Sequence, residues 1–185
     1  MSGGLPDADR VVPWDPAWPG LFRELGARLR RELGALALRI DHIGSTAVPG
    51  LDAKPIVDVQ VSVASLEPAG AYRPALERAG LVWRADNPER TKRYFRERPG
   101  ERRTHVHVRR AGSFSEQLAL LFRDYLRADP AWAARYAAEK HRLAHLLTSD
   151  RKAYVEGKEP FVWETVRRAD GWAQATGWEP GPSDA

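Results

Sequence analysis

Two short stretches of this chain carry side chains of the right type and spacing for chemistry. The first, "HIGSTAVPGLDAKPIVDVQVSV" at residues 42–63, sets a Gly44-Ser45 pair ahead of one carboxylate, Asp58, and one amide, Gln60. A glycine followed by a small hydroxyl residue lets a phosphate come close to backbone N–H groups. A carboxylate across the same cleft can hold the divalent cation that accompanies a triphosphate. Thr46 adds a hydroxyl that either reaches a ligand or caps the turn, and His42 reads as a structural histidine that orients the loop. The second stretch, "THVHV", sets His105 and His107 two apart, so that on a strand both imidazoles share one face while Val106 and Val108 take the other. Lys54, just ahead of Asp58, and Arg93, in the basic stretch that follows, are the cations expected to meet phosphate, the arginine through its bidentate fork. His141 and His145 show i, i+4 spacing but lack the glutamate between them that a metalloprotease helix carries, and read as surface residues.

These residues need elements to position them. Val57, Val59, Val61 and Val63 alternate with Asp58, Gln60 and Ser62, which predicts a strand over 56–63 with Asp58 and Gln60 on the face opposite the valines. Upstream, Trp18, Leu21, Phe22, Leu25, Leu29 and Leu33 recur at helical spacing over 16–34, after an Asp15-Pro16 start signal. "ALALRI" at 35–40 is expected to enter the sheet. Downstream, a helix over 68–79 stopped by Gly80 and a short strand "LVWR" lead into "KRYFRE" and "THVHVRR", two extended arms around Pro99-Gly100 that predict a hairpin. Beyond residue 110 the pattern is helical. Ser113 with Glu116 gives a capping-box signal, Asp129-Pro130 a second start, and a last helix is expected from Pro160 to Gly177. Residues 1–10 and the tail "WEPGPSDA" at 178–185 are expected to be disordered. The expected architecture is one α/β (α+β) domain over 11–177: a small mixed sheet flanked by helices at about 11–110, then a helical lobe at about 113–177.

Composition narrows the function classes. With 185 residues and no cysteine, disulfide frameworks and thiolate zinc sites are excluded, and a cytoplasmic location is expected. No apolar run is long enough for a membrane helix, and the N-terminus has no signal-peptide pattern. The net charge is +4, but residues 90–110 alone sum to +7, so the basicity is local. Such a patch attracts phosphates of a nucleotide, a nucleic acid backbone or an acidic partner, or else it is a solvated hairpin in an arginine-rich chain.

"HIGSTAVPGLDAKPIVDVQV" resembles the signature of GrpB family proteins, and the resemblance runs from "VVPWDPAWP" through "RDYLR" and "Y..EK..LA" to the "EPFV" helix. It implies a nucleotidyltransferase-like fold, in which the Gly-Ser loop contacts nucleotide phosphates and strand carboxylates bind magnesium. Gly44 and Ser45 match the phosphate loop, and Asp58 the first metal carboxylate. The chain departs from that pattern at Gln60, which stands where a second acid is usual and offers a neutral oxygen to the metal. If the His105 strand lies beside the Asp58 strand, a histidine can take the place of the missing third acid, as metal ligand or proton acceptor. The expected function is transfer of a nucleotidyl group from a nucleoside triphosphate to an unknown small acceptor, with Asp58, His105 and His107 at the reacting centre. A non-catalytic nucleotide or phosphoester sensor on the same fold is the alternative. A nucleic-acid-binding module is disfavoured by the overall charge balance and the lack of glycine-aromatic RNA-binding motifs.

Overall fold

A computed structural model describes residues 9–185; the first eight residues, most of the N-terminal stretch expected to be disordered, lie outside the described residues. Helix α1 (Trp18–Leu33) leads into β1 (Arg39–Ile43) and β2 (Val57–Val63). Helix α2 (Arg73–Arg78) is followed by β3 (Leu81–Trp83), β4 (Lys92–Glu97) and β5 (Thr104–Arg110). The remaining elements are α3 (Phe114–Ala128), α4 (Pro130–Leu143), the short α5 (Leu146–Ser149) and the long α6 (Arg151–Thr176). The strands form one mixed sheet in the order β1-β2-β5-β4-β3, in which only β2 and β5 run parallel. The small mixed sheet flanked by helices and followed by a helical lobe is thus the architecture the sequence predicts.

The alternation in β2 does what its pattern demands. Val57, Val59, Val61 and Val63 are buried with Val106, Val108 and Phe95 against Phe22, Leu25, Leu29 and Leu76 of the two first helices. Each such side chain contributes on the order of 1.5–3 kcal/mol by leaving water. The opposite face is covered by the lobe. Glu116, buried on α3, accepts from the Ser62 hydroxyl at 2.6 Å and from the Gly112 amide at 2.8 Å, which ties the start of α3 to β2. The cap signals hold: Ser113 accepts from the Glu116 amide, and Asp129 from the Trp132 amide at 2.9 Å. The expected hairpin is the antiparallel β4·β5 pair. Among the described residues, no helix is long and apolar enough to cross a membrane.

Four boundaries differ from the sequence reading, each for a physical reason. Helix α1 begins at Trp18, because Asp15 accepts from the Ala17 amide and forms a turn before the helix proper. Strand β1 begins only at Arg39, after a 3-10 turn at Gly34–Leu36. The expected helix over 68–79 is a 3-10 turn at Ala69–Ala71 followed by α2. Helix α6 begins at Arg151, capped by Asp150, and carries Pro160 in its interior; buried Tyr154, packed with Leu143 and Leu147, anchors the turns upstream of the proline.

The tail is a larger correction. Residues 182–185 lie along β1, which is an edge strand with unpaired backbone groups. Ser183 Oγ accepts from the Ile40 amide at 2.9 Å, and the Ala185 amide donates to the Ile40 carbonyl at 3.1 Å. Asp184 accepts from the His42 amide at 2.9 Å and from Arg123 at 2.8 Å. A Pro/Gly-rich composition suggested a free tail, but its serine and aspartate are the acceptors that this edge lacks.

Candidate functional site

The parallel β2·β5 pairing sets Asp58 opposite His105 and Gln60 opposite His107, so the strand faces inferred from alternation meet in one place. Asp58 Oδ1 lies 3.1 Å from His105 Nδ1 and 3.3 Å from His107 Nε2. Tyr94, opposite His107 on β4, packs its ring against both imidazoles, at centroid distances of 5.5 and 5.3 Å. Burial pushes the Asp58 carboxyl up, but the two histidine hydrogen bonds outweigh it and hold the group well below the usual carboxylate range. Burial pushes His107 down to about 4, against the opposing pull of Asp58.

The Gly44-Ser45 turn packs directly on this cluster. Gly44 has φ 72° and ψ −172°, a backbone conformation reserved for glycine, and a Cβ there would sit 2.8 Å from Asp58 Oδ2. The turn is held from behind by His42, whose ring stacks on Phe22 at 4.8 Å and whose Nε2 lies 3.0 Å from Thr46 Oγ1. Since the Thr46 hydroxyl donates to the Ile56 carbonyl at 3.1 Å, Nε2 carries the proton and donates to Thr46. Burial pushes His42 down to about 4, consistent with a neutral ring.

A cleft of about 270 Å³ opens on one side of the turn, lined by Ser45, Lys54, Asp58 and His105 from the sheet side and by Tyr136, Lys140, Tyr154 and Lys158 from α4 and α6. Burial pushes Lys54 down to about 8 and Lys140 down to about 7, and lowers Lys158 as well. Lys140 donates to the Asp52 carbonyl and lies over the Tyr136 ring at 4.7 Å. Lys54 and Lys158 lie over Tyr154 at 5.8 and 4.5 Å. A second hollow of about 400 Å³ lies on the other side; it shares Gly44, Asp58 and Tyr136 with the first and is walled by Leu118, Ala119, Phe122, Val162 and Val166. A third hollow, of about 280 Å³ beside α1, contains none of these groups.

The structure therefore brings together Gly44, Ser45, Lys54, Asp58, His105 and His107. It engages the other three expected residues with other protein groups. Gln60 is fully buried, with its carbonyl oxygen taken by Arg109 at 2.6 Å and its amide donating to the Glu116 carbonyl at 3.3 Å, so it is no metal ligand. Thr46 borders the cleft, but its hydroxyl is turned inward and committed. Arg93 shares strand parity with the core residue Phe95, projects from the face opposite the histidines and pairs with Glu67. Sequence reasoning missed Lys140, Lys158 and Tyr136, which lie far along the chain on helices. One signal was available: the chain has only five lysines among 29 basic residues, and three of them line this cleft.

The fold and this site define an α/β protein whose helical lobe completes a cleft begun by its sheet. The chain belongs to the GrpB protein family, whose pattern it matches over residues 9–168. It is 41% identical to UPF0157 protein PA4798 of Pseudomonas aeruginosa, over 88% of this chain and 69% of that one. It is 38% identical to the dephospho-CoA kinase of Mycolicibacterium paratuberculosis, covering 92% of this chain but only 48% of that protein, so the chain spans about half the length of that relative. The crystal structure of conserved protein GrpB from Enterococcus faecalis overlays with a TM-score of 0.79 at 34% identity, over 88% of this chain and 99% of that one. The family expected from the quoted motif is the one to which the chain belongs.

Proposed function

We propose that this protein binds the polyphosphate of a nucleoside triphosphate in the lysine-lined cleft and passes the nucleotidyl group to a small hydroxyl-bearing acceptor seated in the neighbouring apolar hollow. The observation that carries this reading is the packing of the Gly44 turn against Asp58 at the meeting point of the two hollows. In this reading the acceptor oxygen forms a bond to the α-phosphorus, and the bond from that phosphorus to the bridging oxygen of the β-phosphate breaks. Pyrophosphate leaves with its charge beside Lys54, Lys140 and Lys158, and the acceptor proton passes to water in the open cleft. Amines fixed where charge develops are a large source of rate acceleration in such a displacement. Lysine also suits this cleft better than the arginine that dominates the chain, because a half-buried amine sheds its proton when the site is empty, whereas a guanidinium stays charged.

A second reading, binding without catalysis, is favoured by Gln60, whose engagement by Arg109 leaves Asp58 without a second acid on its strand. The nucleic-acid reading is weakened by the hairpin's own pairing, since Lys92, Arg93, Arg96 and Arg103 meet Glu89, Glu67 and Glu97. Calorimetry with nucleoside triphosphates, followed by pyrophosphate release assayed with a panel of small alcohols, tests the proposal. Saturable binding with release supports transfer, and binding without release for any acceptor supports the second reading. No binding at millimolar triphosphate overturns both.

A further inference from the structure

We infer that Asp58, His105 and His107 hold a divalent transition metal, of the zinc, cobalt or nickel kind, rather than the magnesium expected from the family resemblance. The inference concerns the same site as the proposed function but not its reaction. One ligand atom from each of Asp58, His105 and His107 lies within 4.8 Å of the other two, on two strands paired in register, so an ion can be received without moving the backbone. The donor set decides the kind of ion. Magnesium demands near-octahedral oxygen ligands and draws its affinity from carboxylate charge and phosphates. Here one carboxylate stands beside two imidazoles, and imidazole suits zinc and its first-row neighbours.

Among the described residues, no second carboxylate joins this cluster. Gln60 is turned away to Arg109, and Glu89, which lines the apolar hollow beside His107, is paired with Lys92 at 2.6 Å. The three side chains keep 26%, 16% and 13% of their surface exposed, so protein ligands on one side leave open positions on the other, the pattern of catalytic rather than structural metal sites. The outer shell is thin. His105 Nε2 and His107 Nδ1 are buried without a hydrogen-bond partner among the described residues, while the Tyr94 ring packs against both imidazoles. Outer partners of ligating histidines are usually worth about 10–100-fold in affinity. The ion at this site is therefore exchangeable, and is lost in chelating buffers.

The test uses the full chain without nucleotide. Cobalt(II) is titrated into it and followed by its visible ligand-field absorption and by the hyperfine-shifted imidazole N–H resonances of the wild-type protein; zinc, manganese and magnesium are titrated by calorimetry. One cobalt per chain, two shifted imidazole signals and zinc binding at least about tenfold tighter than magnesium are expected, with binding abolished in the His105→Asn/His107→Asn double variant. Absence of shifted imidazole signals in the wild type, retention of binding in the double variant, or magnesium binding as tightly as zinc overturns the inference. Triphosphate binding is scored separately. Metal binding without it sinks the nucleotidyl reading and leaves this inference standing, and triphosphate binding with magnesium alone does the reverse.

Discussion

Arg109 donates to the Gln60 carbonyl oxygen at 2.6 Å inside the sheet face covered by α3, and this single contact spends on packing the position where a second acid would otherwise face the cleft. Burial lowers the Arg109 guanidinium from its ordinary value, while Glu89 and Asp58 oppose that shift. Arg109→Leu leaves a buried amide oxygen without its donor, and a loss of about 1–3 kcal/mol is expected in urea denaturation. Gln60→Asp is expected to pair with Arg109 and leave metal affinity unchanged by calorimetry; a gain in magnesium affinity would show that the second position can still reach the cleft.

Gly44→Ala has two costs, a left-handed φ of 72° and a Cβ 2.8 Å from Asp58 Oδ2. About 1–3 kcal/mol of destabilisation is expected from the backbone alone. Because the same Cβ displaces Asp58, ligand binding should fall further than stability does. Thermal unfolding with and without triphosphate separates the two effects, and an alanine variant with wild-type binding would detach the turn from the site.

Lys140 gives a pH signature with a definite sign. Its folded value is pushed down from 10.5 to about 7, so between those limits the unfolded chain holds a proton that the folded chain has lost. Stability therefore rises with pH across that window, and below pH 7 the full cost of burying the charge is present. Urea midpoints of the wild type should climb between pH 7 and 9, while Lys140→Met gives a flatter profile and a higher midpoint at pH 6. Parallel profiles would refute this.

A polyanion entering the cleft should recharge these amines. Lys54 at about 8 and Lys140 at about 7 are partly or largely unprotonated at pH 8 in the empty cleft, so triphosphate binding there is expected to take up protons. Calorimetry in two buffers of different ionisation enthalpy reads this uptake directly; equal heats in both would count against a lysine-bound polyphosphate.

Two cations expected to act together should separate by mutation. Lys54→Ala removes an amine from the cleft, and at least about tenfold weaker triphosphate binding is expected for loss of a charge-assisted contact of about 1.5–3 kcal/mol. Arg93→Ala removes contacts to Glu67 and to the Arg90 and Lys92 carbonyls, away from the cleft, so affinity should stay within about twofold. Equal losses would return Arg93 to the site.

Much of this site was readable because strands announce their faces. The valines at 57, 59, 61 and 63 fixed the direction of Asp58, and the two-residue spacing of His105 and His107 fixed theirs, leaving only the adjacency of the two strands to be found. The same parity argument, applied to Phe95, would have sent Arg93 to the far face. Helical residues give no such cue about what lies opposite. Lys140 and Lys158 reach the cleft because α4 and α6 pack on α3 and on the loop after β1, a tertiary fact with no local pattern. Pro160 misled for a related reason: its missing N–H favours a helix start, yet the Asp150 cap and buried Tyr154 carry the helix through it. The tail was illegible because its order comes from the vacant edge of β1 rather than from its own composition.

The lysine-lined cleft is shared: eight of its lining residues belong to the strands and their loops, four to α4 and α6. Recognition is thus a property of the joint, and neither half alone has a site to offer. A guest lodged there would act as mortar between them, so that hydrogen exchange in α4 and α6 should slow when the cleft is filled, and any hinge that parted the two halves would release the guest at a stroke.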